Sequence, residues 1–148
     1  NVVSWCHGSG GILLSRMVIQ ECISELPCNE FSQYILRDYE RALYTVRKNI
    51  FRTSNCLCHG TLGNFEILRK SGVLYSDEKI FFMYMCYINH LLDDSDTYYK
   101  GYKLDFTYLG LMQGLAGIGY SLACFLDKDI PSILMPVLEK ANGHKPTI

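Results

Sequence analysis

Three glycine turns recur along this chain at nearly constant spacing, and no other feature constrains its fold as strongly. Cys6-His7-Gly8-Ser9-Gly10-Gly11, Cys58-His59-Gly60-Thr61-Leu62-Gly63 and Met112-Gln113-Gly114-Leu115-Ala116-Gly117 each give Gly-x-x-Gly followed by an apolar run. Their first glycines, Gly8, Gly60 and Gly114, lie 52 and 54 residues apart. A period in that range marks repeat architectures, in which each unit buries its apolar face against the next. The turns divide the chain into repeats of about 1–54, 55–108 and 109–148.

The segments between the turns have helical periodicity. Ile12, Leu13, Leu14, Met17, Val18, Cys22 and Leu26 keep helical spacing until Pro27 stops the run. Asn29 suits an N-cap, and Phe31, Ile35, Tyr39, Ala42, Val46 and Ile50 form one stripe, which predicts a helix from about 30 to 52. The second repeat predicts a short helix from about 62, stopped near Gly72. Another follows from Ser76, with Asp77 and Glu78 in its first turn and Asp93-Asp94 marking its end. The third repeat predicts a helix from about 115 to 126, and Ile130-Pro131 opens a further one that Pro136 keeps short or broken. No segment alternates as a strand should. The expected fold is all-α: helical hairpins that stack into a solenoid or close into a toroid, with the glycine turns gathered on one face. Three repeats leave apolar ends, so preceding repeats are expected upstream of residue 1.

With 49% apolar and 20% charged residues over 148 positions, the chain has the composition of a folded globular domain. A net charge of -1 without a Lys/Arg block gives no nucleic-acid footprint. Phe106 to Leu126 is uncharged over 21 residues, but four glycines, Gln113 and Ser121 dilute it and no basic cluster flanks it; a buried helix with its approach loop is expected, not a membrane span. Seven cysteines without a regular framework read as thiols kept reduced, which implies a cytoplasmic location.

Two of the three turns begin with Cys-His at the same point of the repeat. Zinc favours thiolate and imidazole ligands in tetrahedral geometry. Equivalent positions of adjacent repeats are neighbours in space, so Cys6 can approach Cys58 and His59 across the intervening chain. The third turn has Met112-Gln113 instead, so the ligands end with the second repeat and one coordination position stays open. The residues alone leave alternatives: a closed site that adds His7, a site drawing on Cys56, or inherited Cys-His pairs with no metal. Cys22, Cys28, Cys86 and Cys124 read as small buried hydrophobes. His90 reads as a surface imidazole near a helix end, and His144 as tail.

Ser4-Trp5-Cys6-His7-Gly8, Cys58-His59-Gly60-Thr61-x-Gly63-Asn64 and Gly110-Leu111-Met112-x-Gly114-Leu115-Ala116-Gly117-Ile118-Gly119-Tyr120 together resemble the lanthionine cyclase family. The likeness is closest to the C-terminal cyclase domain of class II lanthipeptide synthetases and runs over almost the whole chain. Ser9-Gly10-Gly11 departs from the small-Pro-Gly often found after the first motif. The resemblance implies an α/α toroid of inner and outer helices, of which this chain is an incomplete portion. It also implies a central zinc ion (Zn2+) held by Cys6, Cys58 and His59, with the fourth position taken by water or a substrate cysteine. The implied activity joins cysteine thiols of a precursor peptide to dehydroalanine or dehydrobutyrine, closing thioether rings.

That chemistry suits the ligand set. A free cysteine has a pKa near 8.5 and is mostly protonated at neutral pH, whereas a zinc-bound thiol is deprotonated. Two thiolates and a neutral imidazole cancel the metal's charge, so a third thiolate stays electron-rich and nucleophilic. Addition to the alkene creates an enolate that needs a proton donor. The family's acid/base Asp and His are expected upstream of Trp5-Cys6, so the isolated chain is expected not to cyclise efficiently. His7 is the candidate for assisting proton transfer within it. The implied partners are a precursor peptide bearing dehydrated Ser/Thr and free Cys, the preceding cyclase repeats and an N-terminal dehydratase domain. Two other readings stay open: a cyclase-like zinc protein of glutathione-binding or non-catalytic role, and a helical repeat interaction module with structural zinc.

Overall fold

A computed structural model of the chain describes residues 2–23, 30–93 and 109–135. Cys28, Asp94 and His144 lie outside the described residues, as do the ends of the second and third repeats. The fold is all-α, and the described residues form six helices: α1 (Ser9–Ile23), α2 (Glu30–Lys48), α3 (Thr61–Lys70), α4 (Val73–Ser76), α5 (Glu78–Asp93) and α6 (Leu115–Leu126). No strand occurs among the described residues.

The helices that follow the glycine turns, α1, α3 and α6, lie side by side, with α3 touching both of the others. The remaining long helices, α2 and α5, form an outer layer; α2 pairs with α1 as a hairpin and also reaches α3. This is the helical-hairpin arrangement of an α/α toroid, present as a portion. Helix α3 is the centre of the core, and every residue from Thr61 to Leu68 is buried. The Phe65 ring stands 5.0 Å from Tyr84 and 5.7 Å from Tyr87 of α5, and 6.0 Å edge-on from Phe51. Tyr84 in turn meets Phe125 of α6 at 5.7 Å, so one aromatic cluster spans the second and third repeats.

The helix boundaries differ from the sequence expectation where side chains take over the backbone. Helix α2 ends at Lys48, not near 52, because the Asn64 side-chain amide donates to the carbonyls of both Asn49 (3.1 Å) and Ile50 (2.9 Å). Those carbonyls then have partners outside any helix and the chain turns inward, burying Ile50. Helix α5 starts at Glu78, not Ser76. Asp77 is its cap, not part of its first turn: the carboxylate accepts from the amides of Lys79 (3.1 Å) and Ile80 (3.2 Å). Asp77 also pairs with Arg47, which ties the end of α2 to the start of α5. The preceding residues form the one-turn helix α4, which the sequence pattern did not mark.

The α2 stripe holds at Ile35, Ala42 and Val46, which are buried, while Phe31 at the helix start is exposed. Helix α6 matches its expected bounds. Residues 130–135 form turns and bends and no helix, although Leu134 and Met135 are buried. No described helix is long and apolar enough to cross a membrane; residues 109–114 approach α6 as a non-helical turn.

Candidate functional site

The first two glycine turns share one hydrogen-bonded backbone geometry, and all three share the close approach of the second glycine to a carbonyl. Ser9 N–H donates to Val2 O (3.1 Å) and Thr61 N–H to Ser54 O (2.9 Å); Gly11 N–H donates to Ser4 O (3.2 Å) and Gly63 N–H to Cys56 O (3.3 Å). Each bond recurs at the same register in the first two repeats. The second glycine of each turn lies against the carbonyl six residues before it. A Cβ at Gly11, Gly63 or Gly117 would stand 2.3, 2.0 or 2.1 Å from the oxygen of Trp5, Leu57 or Leu111. Only glycine permits that approach at three equivalent places.

The turns are also bonded to one another. Trp5 N–H donates to Cys58 O (3.0 Å) and Cys58 N–H donates to Met112 O (2.9 Å), so the middle turn is held between the other two. Thr61 and Asn64 anchor the middle turn from behind. The Thr61 hydroxyl accepts from Arg52 N–H (2.9 Å) and reaches Arg52 O (3.3 Å), while Asn64 makes the two bonds that end α2. The residues beginning each turn therefore meet on one face, as the repeat alignment requires.

On that face Cys6 and Cys58 come together. Cys6 is exposed and Cys58 is buried. The Cys58 thiol is pushed up to about 12, first by burial, then by the hydrogen bond and charge of Cys6 and the charge of Cys56; a backbone hydrogen bond from Cys6 pulls the other way. Two adjacent thiols resist joint ionisation. His7 is exposed and its Nδ1 lies 3.0 Å from Cys6 Sγ. His59 is half-buried, with its Nε2 atom buried. Burial lowers its pKa, and the positive fields of His7 and Arg52 lower it further. The ring is thus held neutral, the form in which imidazole binds a metal.

Among the described residues, no group of three or more His, Cys, Asp or Glu side chains is arranged to hold a metal ion. The convergence of the expected ligands reaches the two thiols, with His59 next to one of them in the chain, and does not close around a third donor. The donors nonetheless suit zinc in kind: two thiols within reach of each other and a neutral imidazole.

Cys56 is buried behind this face, with its Sγ 3.3 Å from the Ser54 hydroxyl. Of the cysteines read as core, Cys124 is buried, whereas Cys22 and Cys86 are exposed, because each falls on the outward side of its helix. His90 is exposed in the last turn of α5, as expected. Trp5 is half-buried and donates its indole N–H to Leu134 O (2.9 Å). Sequence reasoning missed the buried pair of Glu66 and Arg69, joined by two hydrogen bonds (2.7 and 2.9 Å) beside the Tyr120 hydroxyl. An acidic residue on an otherwise buried helix, followed three residues later by arginine, was the available signal.

Comparison with known proteins agrees with this architecture. The chain matches the sequence profile of the lanthionine synthetase C-like proteins over residues 1–138. It is 27% identical over 146 residues to the lacticin 481/lactococcin biosynthesis protein LcnDR2 of Lactococcus lactis subsp. lactis, an alignment covering 91% of this chain and 16% of that protein. The chain thus spans about a sixth of that relative's length. No solved structure matches it. With the profile matched over nearly its whole length, the chain belongs to the lanthionine synthetase C-like family.

Proposed function

We propose that this chain is the zinc-binding part of a lanthionine cyclase of the class II type, acting in lanthipeptide biosynthesis. The observation that carries the reading is the meeting of Cys6 and Cys58 through hydrogen-bonded glycine turns. Family membership and the relative's role in lacticin 481 biosynthesis support it. Cys6, Cys58 and His59 would hold the ion. A bound zinc ion supplies a cationic position at which a peptide cysteine is held as its thiolate.

The chain's own residues prepare that chemistry. Cys58 sits in a buried turn fixed on both sides, so its position changes little, while Cys6 and His7 face solvent and leave room for a peptide. The neutral His59 adds a donor without adding charge. His7, beside Cys6, is placed to touch the arriving peptide or to carry a proton. The substrate would be a precursor peptide bearing free cysteine and dehydrated serine or threonine, in a protein whose preceding repeats and dehydratase domain complete the enzyme.

The discriminating test adds a cysteine-containing peptide to the cobalt-substituted chain. A cyclase site predicts growth of the thiolate-to-cobalt absorption with added peptide, and loss of that growth in Cys6→Ala. A closed structural site predicts a spectrum that added thiol leaves unchanged, which would rule out this reading.

A further inference from the structure

Residues 128–135 follow α6 without helix or strand, yet their backbone is bonded to side chains of all three repeats. Arg69 Nη1, from the second repeat, donates to Lys128 O (3.1 Å) and Ile130 O (3.0 Å). The Tyr120 hydroxyl, from the third, lies 2.8 Å from Pro131 O and accepts from Ile133 N–H at 3.2 Å. Trp5, from the first, donates its indole N–H to Leu134 O at 2.9 Å. Leu134 and Met135, at the end of the segment, are buried in the core. The Arg69 side chain is itself buried and held by Glu66, so this end of the attachment is rigid.

Trp5 is the residue immediately before Cys6. Its amide is bonded to Cys58 O and its indole to Leu134 O, so it joins the first turn to the second and to the segment after α6. Cys6 and His7 are exposed, with Cys6 Sγ 3.0 Å from His7 Nδ1, and the Cys6 thiol also meets that of Cys58. Trp5 is thus the residue that joins the segment after α6 to the turn carrying Cys6.

We propose that residues 128–135 act as a clasp across the three repeats and that Trp5 is a positioning residue, transmitting the clasp to Cys6 and fixing that thiol against Cys58. The proposal rests on the metal-site reading only in its zinc arm. The juxtaposition of the thiols is a property of the chain alone.

The test uses the full chain and Trp5→Phe, which keeps an aromatic ring and removes the donor. In the metal-free protein, the Cys6–Cys58 disulfide is equilibrated with glutathione and glutathione disulfide and quantified by peptide mapping. The effective concentration of one thiol for the other should fall about tenfold in Trp5→Phe. Zinc retention against a chromogenic chelator should weaken about ten- to a hundredfold, the range usual for groups that orient metal ligands. Tyr120→Phe, which loosens the other end, should lower both in the same direction. Ile88→Val, a core change in α5, should lower thermal stability and move neither. If Trp5→Phe fails to fold, Tyr120→Phe carries the test. Effective concentration and zinc retention both unchanged in a folded variant would overturn the proposal. A native chain that binds no zinc would sink the metal reading and leave the disulfide measurement to decide on the clasp.

Discussion

At the residue scale, Gly63 and Asn64 show how little freedom the middle turn allows. A methyl group at Gly63 would meet the Leu57 oxygen at 2.0 Å, and that oxygen belongs to backbone that cannot swing aside. Gly63→Ala should therefore unfold the chain or destabilise it by more than about 3 kcal/mol, well above the usual cost of a point mutation. Gly119, in the exposed interior of α6, would meet nothing within 4 Å. There alanine should raise stability by about 0.5–1 kcal/mol through helix propensity. Thermal unfolding of the two variants checks both signs. Asn64→Ala removes two hydrogen bonds to the carbonyls that end α2, leaving acceptors in a buried turn; a loss of about 2–4 kcal/mol is expected by denaturant titration. The importance of these two positions was visible in the sequence only as repeated spacing. The spacing places a glycine, but the oxygen that forbids a side chain is a three-dimensional fact. Likewise the Cys-His pairs named Cys6 and Cys58 as neighbours, whereas the bond from Trp5 to Cys58 that brings them together follows from no residue type.

At the scale of elements, periodicity located the long helices and failed at their ends. Helix α6 was legible because its glycine turn and its apolar run agree. Helix α2 was predicted too long because Ile50 continues the apolar stripe, and only the intervention of Asn64, fourteen residues on, takes it out of the helix. The start of α5 depends on Asp77, whose two cap bonds and pairing with Arg47 make it the junction of the outer helices. Asp77→Ala should cost about 1–2 kcal/mol, largely from the lost cap, readable by denaturant titration. The aromatic cluster between α3, α5 and α6 carries a pH signature. Burial raises the Tyr84 phenol above its ordinary pKa, so the native state resists losing that proton more than the unfolded chain does. Stability should hold below about pH 10, the ordinary phenol value, and fall as pH rises beyond it. Tyr84→Phe should make that alkaline decline shallower; an unaltered decline would assign it to other groups.

At the scale of the whole molecule, the repeat gathers one sequence pattern onto one face. Stacked hairpins bring equivalent turns together, so residues 52 positions apart in the chain become neighbours without a local motif to join them. That logic was fully available from the spacing, as was the family from its ordered motifs. What remained hidden was the cross-bracing: Arg69, Tyr120 and Trp5 fastening the irregular segment after α6 depend on side chains far apart in sequence finding backbone carbonyls. The central claim is that the face so assembled binds zinc through Cys6, Cys58 and His59. It is tested most directly by zinc content per chain in the purified protein and in Cys6→Ala, Cys58→Ala and Cys56→Ala. About one zinc is expected in the native chain, with loss of it on removing Cys6 or Cys58 and retention without Cys56. A folded chain that carries no zinc, or one that keeps its zinc without Cys6, would contradict it.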